Sequence, residues 1–229
     1  ERVLPSWNAV GAVVRVAAAR GWDAISLGSA ARRGARRHVV PVGGSEPLGV
    51  LGHVNAALEL AEQVATGALP PPRRVVLPLG SAGTAAGLAL GFAVANLTVD
   101  VVAVRVVPWI AAPRLKVLRL AAATARLIER VSGRDGGGTT VTVPRVDPAR
   151  LRVEHAFYGG AYGRALPAGE RAAALLHDAT AHDAALPPLT LDPTYGAKAA
   201  AAAIAAAARE PGPTLLWATF DGRWMERMG

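Results

Sequence analysis

Short, continuous apolar runs alternate along this chain with longer stretches in which apolar residues recur every three or four positions. The first kind is the mark of a strand buried on both faces, the second of a helix with one buried face. The spacing predicts a helix over 5–20, stopped at Gly21, and a short strand over Ala24 to Leu27. A basic loop follows, then an apolar strand over 38–42 that ends at Gly43-Gly44. Ser45 is placed to cap a helix over 47–65, where Val54, Leu58, Leu60 and Ala61 share the helical period. Pro70-Pro71-Pro72 is a stiff connection. Next come a strand over 74–79, a helix over 83–95 and a strongly apolar strand over 99–107. An amphipathic helix over 115–131 and a glycine-rich turn over 132–138 precede a polar, β-like segment over 139–145. Helices over 168–182 and 196–209 and a last strand over 215–218 complete the series.

Strands and helices in alternation predict an α/β fold with a doubly wound, mainly parallel sheet. Ligands in such folds sit beyond the carboxyl ends of the strands. Gly43 to Ser45, Gly80 to Thr84 and Thr219 all follow predicted strands, so they are expected along one edge.

Composition narrows the class. Hydrophobic residues make up 52% of the 229 and charged residues 18%, which argues for a packed core rather than disorder. No cysteine is present, so disulfides, thiolate metal sites and a cysteine nucleophile are excluded. No apolar run is long enough for a membrane span, and the chain opens without a basic-then-apolar leader, so the expected compartment is the cytoplasm. The net charge of +8 comes almost wholly from arginine, Lys116 and Lys198 being the only lysines. The one dense basic cluster, Arg32-Arg33 and Arg36-Arg37, reads as a solvated loop, so neither nucleic acid nor membrane is expected as a partner. His177 and His182 lie five apart with Asp178 and Asp183 nearby, a helix end rather than a metal site; no metal is expected.

The most informative stretch is Val75 to Gly87, an apolar strand, a turn of Gly80-Ser81-Ala82-Gly83 and the start of an apolar helix. Small residues let the backbone curl and let a ligand approach. The first N–H groups of a helix lack internal partners, and the dipole there is positive, so an anion fits. The local residues alone suit a plain strand-to-helix turn equally well. No Walker lysine follows the turn, and the Gly-x-Gly-x-x-Gly spacing of dinucleotide sites is absent.

Four segments in order resemble one family. Val40-Pro41-Val42-Gly43-Gly44-Ser45-Glu46-Pro47-Leu48-Gly49 is similar to the "VPVGGS-x-x-LG" segment of the D-cysteine desulfhydrase and 1-aminocyclopropane-1-carboxylate deaminase family. These are pyridoxal-phosphate enzymes of the tryptophan-synthase-β-like fold (fold type II). Gly80 to Gly87 resembles the family's "GSGGTxAG" phosphate loop, Tyr158 to Gly163 its "GYG" loop, and Asp192 to Ala199 its "DPVYTGKA" segment. The resemblance implies pyridoxal 5'-phosphate as cofactor, its phosphate held by Gly80, Ser81, Ala82, Gly83 and Thr84. It implies Thr219 near the ring nitrogen, and Tyr162 and Tyr195 as the active-site tyrosines. A tyrosine beside a cationic cofactor is expected to have a lowered pKa suited to proton transfer.

The departures are equally specific. The family's Schiff-base lysine lies in a "GGNKxRK"-like segment that is absent here, as is its "QSNH"-like segment. Lys116 falls on an exposed helix face, and Lys198 matches a lysine that is not the family's Schiff-base residue, so both read as structural. The chain is therefore expected to be a fragment of a longer protein, with a degenerate homologue as the alternative. Its expected domains are residues 1–45, the remainder of a small domain, and 46–229, a large cofactor-binding domain. By itself it is expected to be inactive. Gly196 stands where the deaminases carry Glu, which leans the reading toward the desulfhydrase branch. The complete protein is expected to be a homodimer that releases sulfide, ammonia and pyruvate from a small amino acid such as D-cysteine. The rival is a non-catalytic module that binds pyridoxal phosphate or another phosphorylated small molecule.

Overall fold

The computed structural model describes residues 41–132, 141–182 and 187–220. The elements expected over 5–20, 24–27 and 132–138 lie wholly or almost wholly outside the described residues, as do the basic cluster and Asp183. The described chain forms two compact units. One takes in residues up to Ala68, Ser81–Leu97 and Leu115–Asp147; the other takes in Leu69–Gly80, Thr98–Arg114 and the residues from Pro148 on.

The second unit holds the sheet. Strands β1 (Arg74–Leu79), β2 (Asp100–Arg105), β3 (Leu151–Glu154) and β4 (Thr214–Leu216) are ordered β3-β2-β1-β4, and every pairing is parallel. β1 is central and buried along its whole length, as its unbroken apolar run requires. All four carboxyl ends point to one edge, which sets Gly80, Val106 and His155 near one another just past their strands, while β4 ends level with Val76, three residues short of the end of β1. The polar segment over 139–145 is not a strand in its described part, and β3 begins several residues later. Residues near its expected place are held by a side chain instead: the Glu129 carboxylate accepts the Val143 N–H at 3.1 Å and pairs with Arg145 at 3.1 Å.

Helices α4 (Pro167–Thr180) and α5 (Gly196–Arg209) also belong to this unit. The alanines of α5 let it lie close on the sheet, where Ala199, Ala202 and Ala203 meet Val76 and Val104. Ala197, Ala200 and Ala201 meet Ala172 of α4 on another side. Arg74 closes the far end of α5: its buried guanidinium donates to the Ala206 and Glu210 carbonyls at 3.0 and 2.8 Å.

The first unit is helical. Helices α1 (Pro47–Ala65), α2 (Gly83–Val94) and α3 (Arg114–Ser132) match the predicted spans to within about two residues. Gly83, Gly87 and Gly91 recur every four residues on α2. A Cβ on Gly87 would fall 2.4 Å from the His53 Cβ, and one on Gly91 2.4 Å from the Ala57 Cβ. Those contacts are closer than any side chain permits, so the glycine stripe is what brings α1 and α2 together. The strand expected over 38–42 is not seen in its described end. Val42–Gly44 forms a single 3-10 turn, because Gly43 and Gly44 both adopt positive φ (69° and 60°) and reverse the chain.

Candidate functional site

Within the helical unit, residues 43–45 fold against the turn that starts α2. The Ser45 hydroxyl donates to the Ser81 hydroxyl at 2.6 Å and accepts the Gly83 N–H at 3.2 Å. Ser45 therefore caps α2. It does not cap α1 as the sequence predicts; Glu46 stands at that position, without a side-chain cap. The packing allows no larger residues: a Cβ on Gly43 would lie 2.3 Å from the Ser81 Oγ, and one on Gly83 2.8 Å from the Ser45 Oγ. Ala82 has φ 86°, a conformation that suits glycine. The Thr84 hydroxyl lies 3.3 Å from the His53 Nε2. Burial holds the His53 imidazole below its ordinary pKa of 6.5, favouring its neutral form.

This cluster is a set of hydroxyls and N–H groups at a helix N-terminus, without a carboxylate among them. Such a donor set fits a phosphate. A Cβ at Gly83 would fill the space next to Ser45, so the cradle depends on the absence of side chains there. Sequence reasoning places Ser45 as a cap of the following helix and near the ligand edge, without its partner. Its contact with Ser81 joins residues 36 positions apart, which no local pattern announces.

Within the sheet unit, Gly80 leaves β1 and meets a tyrosine pair. A Cβ on Gly80 would lie 3.7 Å from the Tyr195 Cε1, an ordinary contact. The Tyr195 hydroxyl is hydrogen-bonded to the Tyr162 hydroxyl, and the two rings meet edge to face with centroids 6.1 Å apart. Tyr162 is 57% exposed, so the pair opens to solvent on one side. Asp192 builds the base of this arrangement. One of its carboxylate oxygens accepts the Thr194 and Tyr195 N–H groups at 2.9 and 2.7 Å, and the other accepts the Gly196 N–H at 2.8 Å. The first turn of α5 is thereby fixed, and Tyr195 with it. Burial, the Tyr162 hydroxyl and the Asp192 charge push the Tyr195 phenol up to about 12. The chain's own groups thus favour the neutral phenol, whereas the lowered value expected from sequence is that of a tyrosine beside a bound cationic cofactor.

The remaining expected residues are placed differently. Thr219 is exposed beyond β4 and lines a cleft of about 340 Å³ with Pro187 to Thr190 and Phe220. Lys116 is exposed on α3. Lys198 is fully buried and donates from Nζ to the Tyr158 carbonyl at 3.0 Å. A further cation not expected from sequence sits at the carboxyl edge. Arg105, 3% exposed, donates to the Trp109 and Ala112 carbonyls and to the His155 Nδ1 at 3.0 to 3.2 Å.

No family model matches the chain. It is 36% identical over 192 residues to the nocardicin C-9' epimerase of Nocardia uniformis subsp. tsuyamanensis, an alignment spanning 83% of this chain and 52% of that protein. It is 34% identical over 172 residues to the D-cysteine desulfhydrase of Salmonella paratyphi C (strain RKS4594), spanning 75% of this chain and 45% of that one. Among solved structures, an ACC deaminase homologue superposes with a TM-score of 0.56 and 25% identity, over 86% of this chain and 54% of the other. The chain belongs to the D-cysteine desulfhydrase and ACC deaminase family of pyridoxal-phosphate fold type II. It spans about half the length of the curated relatives it matches. The family explains the parallel sheet and the glycine turn after its central strand.

Proposed function

We propose that this chain is the cofactor-holding part of a pyridoxal-phosphate enzyme acting at the α-carbon of a small amino acid. The observation that carries the reading is the hydrogen-bonded pair Tyr162–Tyr195 standing beside Gly80, the first residue of the glycine turn. In this reading the turn Gly80, Ser81, Ala82, Gly83 and Thr84 holds the phosphate, with the Ser81 and Thr84 hydroxyls as further donors; the Gly83 N–H, which donates to the Ser45 Oγ, keeps the turn closed and would have to leave that partner to reach the phosphate itself. Ser45 orients Ser81 and keeps the turn closed. When bound, the cofactor supplies an electron sink for negative charge at the substrate's α-carbon. The Tyr195 phenol, hydrogen-bonded to Tyr162, stays protonated at neutral pH and so is available as a proton donor rather than an acceptor, its raised pKa making it a weak one. Thr219 is assigned to the ring nitrogen by its place after β4. A neutral hydroxyl there would leave that nitrogen unprotonated.

The residues fit the phosphate but not the family's covalent attachment. Lys198 has its amine committed to a backbone carbonyl inside the fold, and Lys116 is on a solvent-facing helix. We therefore assign that attachment to residues outside this chain, and activity to the complete protein. In that frame residues 1–45 are the remainder of a small domain and 46–229 the cofactor domain. Sulfide elimination from D-cysteine is the preferred reaction, since Gly196 stands in place of the deaminases' Glu. The relative named an epimerase favours a second reading at the same α-carbon, proton removal and return without elimination. A homodimer is proposed for the complete protein.

Calorimetric titration with pyridoxal phosphate tests the cradle. Gly83→Asp and Gly83→Asn add side chains of one size and differ in charge. Both variants are expected to bind at least about tenfold more weakly than the unsubstituted chain, the Asp variant the more so by carboxylate–phosphate repulsion. Affinity unchanged in both would remove the phosphate from this turn.

A further inference from the structure

Lys198 is the largest fully buried side chain of the chain's described residues, and no step above uses it. A buried ammonium is costly to desolvate and is retained only where it has partners. Its partners all belong to one small circuit. Nζ donates to the Tyr158 carbonyl at 3.0 Å and stands 6.0 Å from the centroid of the Tyr158 ring. The Asp192 carboxylate acts on it electrostatically, while burial lowers its pKa from the ordinary 10.5.

The segment that Lys198 holds follows Phe157, which packs against the core, and among the described residues its own backbone has few ties. Gly159, Gly160 and Gly163 all have positive φ (75°, 81° and 76°), so three of its residues sit where glycine is favoured and where the unfolded chain is freest. Its local hydrogen bonds are few: the Tyr158 N–H to the His155 carbonyl and the Arg164 N–H to the Ala161 carbonyl. Yet this segment must carry Tyr162 to Tyr195, which α5 holds through Asp192. Lys198 lies on the first turn of that same helix, three residues after Tyr195. One end of the segment is thus tied to α5 by Lys198, and the tip returns to α5 through Tyr162.

We propose that Lys198 is a positioning residue, a latch that anchors the loop 158–163 to α5 and so sets the Tyr162–Tyr195 hydrogen bond. It does not touch the reacting atoms. The inference rests on the proposed role of the tyrosine pair, but its test does not require a cofactor. Failure of cofactor binding would count against the function, and failure of the following test against the latch.

The chain has only three tyrosines, so labelling them with carbon-13 at Cζ gives three signals that Tyr→Phe variants assign. Lys198→Met keeps the apolar stem and removes the donor. With the Tyr162 bond lost, the Tyr195 midpoint is expected to fall by about one pH unit from its high value. Tyr162→Phe should produce the same fall, and the double variant should fall no further. A purely electrostatic lysine would not give this result. At the pH where Tyr195 titrates the amine is already neutral, and below it the loss of a cation would raise the phenol's pKa rather than lower it. An unchanged or raised midpoint with the fold intact overturns the latch. Hydrogen exchange of the unsubstituted protein gives a second readout. Amides of 158–163 are expected to exchange at least about tenfold more slowly than a free glycine loop. Exchange at the free-loop rate overturns the latch even if the Met variant does not fold.

Discussion

Ala82 carries the clearest residue-scale conflict in the chain. At φ 86° its Cβ crowds its own backbone, and the family pattern has glycine at this position. Ala82→Gly is expected to raise stability by about 1 kcal/mol in chemical denaturation, because strain in the folded state outweighs the added freedom of the unfolded chain. Two titratable residues act at opposite ends of the pH range. Tyr195 has a folded pKa near 12 against 10.0 when unfolded, so its contribution to stability is complete below pH 10 and is lost as pH rises toward 12. His53 behaves oppositely. Its folded pKa is depressed, so stability holds above 6.5 and falls as the pH drops below that value and the unfolded chain takes up the proton first. Thermal melts across pH should show both flanks, and His53→Gln should flatten the acid one.

At the scale of elements, packing overrides propensity. Alanine favours a helix over glycine by about 1 kcal/mol. Gly91→Ala in α2 is nevertheless expected to destabilise by about 1–3 kcal/mol, since its Cβ would meet the Ala57 Cβ at 2.4 Å and the Val54 carbonyl oxygen at 2.7 Å. A stabilised variant in urea unfolding would contradict that packing. The elements themselves were largely legible in the sequence. α1 and α5 have the predicted bounds, and β1 was marked by its unbroken apolar run. The strand expected over 38–42 is not seen at its described end, residues 41 and 42, where two adjacent glycines turn the chain, and sequence does not display the sign of φ. β3 was hard to read because it is short and carries Arg152 and Glu154 at an edge of the sheet. The tyrosines and the glycine turn were legible through family motifs. The contacts of Ser45 with Ser81 and of Lys198 with Tyr158 were not, because they join residues 36 and 40 positions apart.

At the scale of the whole molecule, the chain presents two units that share one covalent path. β1 and Gly80 belong to the sheet unit, and Ser81 to Thr84 to the helical one, so the turn between β1 and α2 is one of the points where the chain passes from one unit to the other. Among the described residues no helix is long and apolar enough to cross a membrane. The chain spans about half the length of the curated relatives it matches. The proposed cradle is made of residues of this chain. Its most direct test is calorimetric titration of the unsubstituted chain with pyridoxal phosphate and, separately, with pyridoxal, which lacks the phosphate. The account predicts saturable binding of pyridoxal phosphate and at least about a hundredfold weaker binding of pyridoxal, since most of the grip falls on the phosphate. Equal affinity for the two, or no binding of either, would contradict it.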